Sequence, residues 1–150
     1  MNGIQQARVL ALAIPGGLLA GAYVSQYVFG LFPCEMCWWQ RWPHFAALLF
    51  AGLSYLIAPA RVWVALAGLA IITSGLIGGF HAGVEYGWWE GITGCSTMPS
   101  SIDVMDVNAA PIVRCDVAPW DLFGISLAGW NFLISVIGGV SVIALAAFRK

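Results

Sequence analysis

Cys34-Glu35-Met36-Cys37-Trp38-Trp39-Gln40-Arg41 holds two of the chain's four cysteines, three positions apart, with a cation four residues after the second. The chemistry this pattern offers is thiol–disulfide exchange. A thiolate is the active species, and a helix N-terminus or a nearby cation stabilises it. On a helix, Arg41 would stand one turn beyond Cys37, while Glu35 works against the thiolate by like charge. Pro43 disfavours helical geometry at Trp42 and removes a backbone donor. The stretch from Cys37 to Arg41 is therefore expected to be a separate short helix or an irregular segment. The other two cysteines, Cys95 and Cys115, lie in an acidic stretch far along the chain.

Other uses of four cysteines fit less well. A structural disulfide would suit Cys95 and Cys115, which close a larger loop, but a bridge between Cys34 and Cys37 adds little chain-entropy stabilisation because its loop is so short. Zinc fingers and ribbons bring two close pairs; here the second pair is 20 positions apart, and no histidine follows at finger spacing. Haem attachment needs a histidine directly after the second cysteine, and position 38 is Trp.

The elements that must position the pair are apolar. Of the 150 residues, 61% are hydrophobic and 9% charged, against about 25% charged in an ordinary soluble domain. Net charge is −1, and nothing points to nucleic acid. Residues 9–29 are 21 positions without a charge, about 30 Å of helix and the thickness of a hydrocarbon core. Neither a signal peptide, with its shorter apolar core and small-residue cleavage site, nor a lipoprotein signal, spoiled by Pro33, describes this segment well. Gly17 and Gly21 carry the spacing that permits close helix approach. Further uncharged runs cover 42–60, 62–80 and 122–148. Gly75 and Gly79 repeat the glycine spacing, and the short turn at Pro59-Ala60-Arg61 makes the second and third runs antiparallel neighbours.

Residues 81–121 differ. They hold six acidic residues against Arg114 alone, and Pro99, Pro111 and Pro119 interrupt any long helix. This is a polar loop long enough to be functional. Ser100-Ser101-Ile102-Asp103 resembles an N-cap box opening a short amphipathic surface helix. Glu85 and Tyr86 read as ordinary loop residues, and His44 has no assigned role.

The expected fold is thus all-α: an integral membrane four-helix bundle in a single domain, with spans at about 9–29, 42–60, 62–80 and 122–148. Arg8, Arg61, Arg149 and Lys150 fall on one side, Arg41 and Arg114 on the other. The positive-inside rule makes the first side, with both termini, cytoplasmic. The 81–121 loop and all four cysteines then face outward, where disulfides persist. Trp38, Trp39, Trp42, Trp88, Trp89 and Trp120 gather at the same interface, as indole anchors do. Cys34 and Cys37 sit at the lipid boundary beside Arg41. A lipid-soluble acceptor with carbonyl oxygens, a quinone, fits there, with Arg41 donating to it. His81, at the outer end of the third run, can approach the same place; the ordinary alternatives are a snorkelling Arg41 and a capping His81.

The cysteine motif with Gln40-Arg41 after a first span, four spans, and an outer loop with two more cysteines resemble bacterial disulfide bond formation protein B (DsbB). So do Arg114-Cys115-Asp116, Trp120-Asp121-Leu122-Phe123-Gly124-Ile125-Ser126, Trp130-Asn131 and the segment around His81 and Glu85. The resemblance implies a quinone-dependent protein-thiol oxidase of the bacterial inner membrane. A reduced periplasmic DsbA-type oxidase attacks the loop disulfide through Cys95, Cys115 exchanges with Cys34, and Cys37 faces the quinone near Arg41, with His81 matched to the same site. The acceptor is ubiquinone or menaquinone from the membrane pool. A DsbA-type partner near about −120 mV needs an acceptor that lies higher still, and no nucleotide-binding glycine fingerprint is present. Two other readings compete: a relay like that of vitamin K epoxide reductases, whose membrane pair follows the loop pair rather than preceding it, and a non-catalytic scaffold with structural disulfides.

Overall fold

The computed structural model describes residues 2–93 and 113–148, without the side chain of Phe148. Among the described residues there are four helices: α1 (Gly3–Tyr27), α2 (Glu35–Leu56), α3 (Ala60–Glu85) and α4 (Leu127–Phe148). Two short antiparallel strands, β1 (Asp121–Leu122) and β2 (Ile125–Ser126), precede α4. Cys95, the segment around Ser100 to Asp103, and Arg149-Lys150 lie outside the described residues.

Three of the helices, α1, α3 and α4, are long and apolar enough to cross a membrane. Helix α2 is 22 residues long but carries Glu35, Gln40, Arg41 and His44 in its first half. Its buried face includes Gln40, Arg41, His44 and Ser54, so its polarity turns inward. The outward faces expose Leu49, Leu69, Leu76, Ile137 and Val140. Such a surface would be an aggregation hazard in water and is what lipid requires. The chain is a multi-pass membrane protein.

Two expectations about local structure are corrected. Pro43 does not separate the cysteine motif from the second span, because α2 runs unbroken from Glu35 through it. Cys34 supplies the helix start: it is the N-cap, and its sulfur accepts the Cys37 N–H at 3.3 Å. Beside the proline, the Ser74 hydroxyl of α3 donates to the Gln40 carbonyl at 2.7 Å, which ties the loosened turn to its neighbour. Glu85 and Tyr86 are not loop residues without a role. Glu85 closes α3, and Tyr86 caps it while clamping the β-hairpin: its hydroxyl accepts the Ser126 N–H at 2.9 Å and donates to the Gly124 carbonyl at 3.2 Å. The hairpin turns through Phe123 (φ 56°) and Gly124 (φ 75°), the left-handed pair that a two-residue turn of right-handed strands demands.

The small residues divide into two groups. In α3 and α4 they set a close crossing. A Cβ on Gly139 would stand 2.8 Å from the Gly68 carbonyl oxygen, and one on Gly75 would stand 3.1 Å from the Val136 backbone nitrogen. Gly139→Ala must therefore push backbone against backbone. It should lower stability by about 1–3 kcal/mol, the usual cost of overpacking, read as a lower thermal midpoint in detergent. Gly17 and Gly21 of α1 behave differently from the packing role expected of them: nothing lies within 4 Å of a Cβ at either position. They face open space, and that space is a cavity.

One end of the bundle is fixed by Arg8, whose guanidinium donates to the Ser54 carbonyl and lies over the Tyr55 ring at 4.6 Å. The α1 start, the α2 end and the α3 start share that end, so Arg8 and Arg61 are neighbours in level. The cysteines stand at the opposite end.

Candidate active site

The first turn of α2 brings the two sulfurs of the motif together. Cys34 Sγ and Cys37 Sγ are 3.0 Å apart, and both residues, like Cys115, are free thiols in this structure. Capping by Cys34 is what makes this proximity, since an N-cap side chain folds back over the third helical residue. Cys34 is buried in a cluster with Met36, Val84 and Cys115. Cys115 is wholly buried, and the Thr93 hydroxyl donates to its sulfur at 3.5 Å. Beside it, Arg114 and Asp116 form a two-pronged exposed ion pair at 2.9 and 2.5 Å. The Arg114 guanidinium holds the Asp116 carboxyl below the usual carboxylate range.

From α3, His81 reaches the pair. Its Nε2 lies 3.5 Å from Cys34 Sγ and 3.7 Å from a Glu85 carboxylate oxygen. Its Nδ1 lies 2.9 Å from Gln40 Nε2. Both His81 and Glu85 have almost wholly buried side chains, at 2% and 3% exposure, and the second Glu85 oxygen has no partner. A carboxylate with an orphaned oxygen in a dry site is costly, and such groups collect where chemistry is done.

Behind His81 a polar chain crosses the bundle. Asn131 of α4 donates to Gln40 Oε1 at 2.8 Å and to Ser74 Oγ at 3.2 Å. Asn131 Oδ1 lies 3.0 Å from His44 Nε2 and accepts the Ser135 hydroxyl at 2.8 Å. Sequence reasoning missed Glu85, Gln40, His44, Ser74 and Asn131 as site residues. For His44, Ser74 and Asn131 the available signal was the placement of polar side chains inside otherwise uncharged runs, which in a membrane is expensive and marks function.

Arg41, one turn after Cys37 as expected, points towards α1. It donates to Gln26 Oε1 at 2.8 Å and to the Ala22 carbonyl at 3.4 Å, and its guanidinium lies over the Tyr23 and Trp38 rings at 4.9 and 4.8 Å. Trp38 thus holds Arg41, a task beyond the anchoring expected of it. Arg41 is buried, and among the described residues no carboxylate lies within ion-pair reach of it. Its charge is balanced only by dipoles and ring faces, so it remains free to attract an electron-rich oxygen.

Cys37, Arg41, Gln40, His81 and Asn131 line one cavity of about 240 Å³, whose opposite wall is Gly17, Gly21 and Ala22 of α1. Cys37 rather than Cys34 faces it. The walls are mainly apolar with a few convergent polar groups, the usual make-up of a small-molecule site. A flat ring with carbonyl oxygens fits these walls, with Arg41 as donor and Cys37 as the sulfur beside it. A metal fits less simply. The ligand atoms of Cys34, Cys37 and His81 lie within 4.8 Å of one another, but the hydrogen bond from Gln40 to Nδ1 leaves the His81 proton on Nε2, where a metal would need a lone pair.

The chain matches the family model described as disulfide bond formation protein DsbB over residues 5–146. Proteins named Disulfide bond formation protein B are similar to it. The one from Verminephrobacter eiseniae (strain EF01-2) is 28% identical over 150 residues, covering 93% of this chain and 83% of that protein. The one from Polaromonas sp. (strain JS666 / ATCC BAA-500) is 29% identical over 158 residues, covering 95% and 94%. No solved structure matches.

Proposed function

We propose a function on one premise, that the chain belongs to the DsbB family of disulfide bond formation proteins: it is a quinone-dependent protein-thiol oxidase that reoxidises a DsbA-type partner. Family membership gives a disulfide-forming oxidoreductase in a membrane. The acceptor, the partner and the sidedness are our reading. The observation that carries it is that the sulfur pair has two faces, with Cys34 against Cys115 and Cys37 against the cavity that Arg41 lines.

Each residue then has a task. The partner's dithiol attacks a disulfide between Cys95 and Cys115, and Cys115, released as thiolate, attacks Cys34 of the Cys34–Cys37 disulfide. The partner leaves oxidised when its second thiolate displaces Cys95, which then reforms the loop disulfide by displacing Cys34 from Cys115. Two electrons and two protons have moved to Cys34 and Cys37. A quinone, when bound, supplies a two-electron, two-proton acceptor. Arg41 would orient and polarise its oxygen, Cys37 presents the reacting sulfur, and His81 with Glu85, both buried, holds a proton beside Cys34. The burial of Arg41 strengthens its pull, because a low-dielectric surrounding screens a charge less than solvent does.

We assign the end bearing Cys34, Cys37 and Cys115 to the periplasmic face of the bacterial inner membrane. Arg8 and Arg61, at the other end, then lie cytoplasmic as the positive-inside rule asks. The pair in the membrane precedes the loop pair in the chain, the order of this family.

The test is reduction of ubiquinone and menaquinone analogues by purified protein given reduced DsbA-type partner, for the wild type and each cysteine variant. Activity without any partner-thiol requirement, or none with either quinone, would sink the assignment. The cavity makes a further prediction. Gly21→Leu should place its side chain in open space, so folding should survive, with KM for quinone raised about tenfold, an effect of about 1.4 kcal/mol, while partner thiol exchange stays within twofold. An unchanged KM would mean that the ligand does not use this cavity.

A further inference from the structure

We infer that Gln40, itself oriented by Asn131, is a positioning residue that fixes the tautomer of His81 so that Nε2–H is aimed at the Cys34 sulfur. The tautomer assignment stands on geometry alone; its use in electron transfer rests on the oxidase reading above.

The hydrogen-bond inventory of Gln40 leaves one consistent arrangement. Its oxygen accepts from Asn131 Nδ2 at 2.8 Å. Its nitrogen therefore supplies both remaining bonds, one to the Met36 carbonyl at 3.2 Å and one to His81 Nδ1 at 2.9 Å. An amide nitrogen is donor only, so His81 Nδ1 must accept and, in the neutral ring, Nε2 carries the proton. Among the described residues that proton faces Cys34 Sγ at 3.5 Å, Glu85 Oε1 at 3.7 Å and the backbone carbonyl of Cys115. Turning Gln40 over would set its oxygen against the Met36 carbonyl and its nitrogen against the Asn131 amide nitrogen. Asn131 is held in turn. Its nitrogen also faces the Ser74 carbonyl, an acceptor only, at 3.2 Å, and its oxygen takes the Ser135 hydroxyl at 2.8 Å. The orientation is thus transmitted from α4 through α2 to a ring on α3.

The consequence is electrochemical. A fixed N–H donor stabilises the negative charge that reduction brings to two sulfurs 3.0 Å apart and does little for the neutral disulfide. Stabilising the reduced form makes a disulfide a stronger oxidant. A pair that must accept electrons from an oxidising partner needs that bias. With the opposite tautomer a lone pair would face the sulfur and the bias would be lost.

Gln40→Glu inverts the control. A carboxylate accepts from Nδ1–H, still accepts from Asn131, and leaves Nε2 without its proton. The chain has two histidines, so ¹⁵N spectra of histidine-labelled protein in detergent are readable, with His44→Gln assigning the remaining signal. The wild type should show His81 with Nε2 protonated, and Gln40→Glu should show Nδ1 protonated. The thiol–disulfide equilibrium constant of the Cys34–Cys37 pair, measured against glutathione in a Cys95→Ser/Cys115→Ser background, should shift about tenfold towards the disulfide, which is about 30 mV. Asn131→Asp offers a second route: an acceptor there should turn Gln40 over and give the same tautomer change without touching His81, even if Gln40→Glu fails to fold. A wild-type ring protonated on Nδ1 would overturn the inference. So would variants that fold with the tautomer and the equilibrium constant both unchanged. Because neither readout uses quinone or partner, failure of the oxidase reading would register separately.

Discussion

Cys37→Ser is expected to reduce quinone reduction by more than about 10³-fold, a barrier increase above about 4 kcal/mol, while a covalent adduct with the partner accumulates. The sulfur facing the cavity is that of Cys37, and a hydroxyl there has neither the acidity nor the redox chemistry of a thiol. Cys34 loses little of its placement, because the bond that holds it comes from the backbone N–H of residue 37, which a serine keeps. The partner can still attack the loop disulfide and become joined to Cys95. In the variant Cys34 is a lone thiol, so the released Cys115 thiolate has no Cys34–Cys37 disulfide to attack, and the exchange halts with the partner joined to Cys95 and the electrons unable to move on. Non-reducing electrophoresis with the reduced partner would show the adduct, and quinone absorbance would show the block. Retention of normal quinone turnover would remove Cys37 from the route, and loss of the adduct together with turnover would mean that the variant had disturbed the loop disulfide as well.

That separation of roles was only partly legible in the sequence. The motif at Cys34 and Cys37, the cation at Arg41 and the apolar runs could all be read in order, because each depends on spacing along one helix or on composition. His81 was readable as a neighbour through its place at the end of the third run. Glu85 was not, since a carboxylate following an apolar stretch looks like the start of a loop until the last turn of α3 is seen to carry it inward. Gln40 and Asn131 are 91 positions apart, and no periodicity links them. Their partnership exists because Gly78 lets α4 approach: a Cβ there would stand 2.9 Å from the Ala128 carbonyl. Pro43 was misread for a related reason. Its usual effect as a helix breaker presumes that water competes for the freed carbonyl, whereas in a membrane bundle neighbouring side chains and the helix itself are the better partners. Gly17 and Gly21 carried the spacing of a packing motif, but spacing alone does not say whether another helix arrives to fill the groove.

Arg41→Met carries the other large effect. The guanidinium has three kinds of support in place, Gln26, the Ala22 carbonyl and the rings of Tyr23 and Trp38, and no carboxylate. None of these neutralises it, and Glu85, which lines the same cavity, makes no ion pair with it, so the guanidinium keeps its pull in a medium of low dielectric. Losing a charge-assisted hydrogen bond to the acceptor's oxygen should cost about 1.5–3 kcal/mol, or roughly 10- to 150-fold in kcat/KM for quinone. Methionine preserves much of the apolar stem that packs between the rings, and it leaves no buried charge unpaired, so the fold should tolerate it. Partner thiol exchange, followed in single turnover without quinone, should change by less than about threefold, because Cys34 and Cys115 meet on the other face of the pair. The fall should sit mainly in kcat if Arg41 pulls hardest as the oxygen gains charge, and mainly in KM if it only holds the ring. Arg41→His, which retains a donor on a shorter side chain, should lie between Met and the wild type. Equal losses in quinone reduction and in thiol exchange would count against this role, since a residue that merely supports the start of α2 would disturb both sulfurs together.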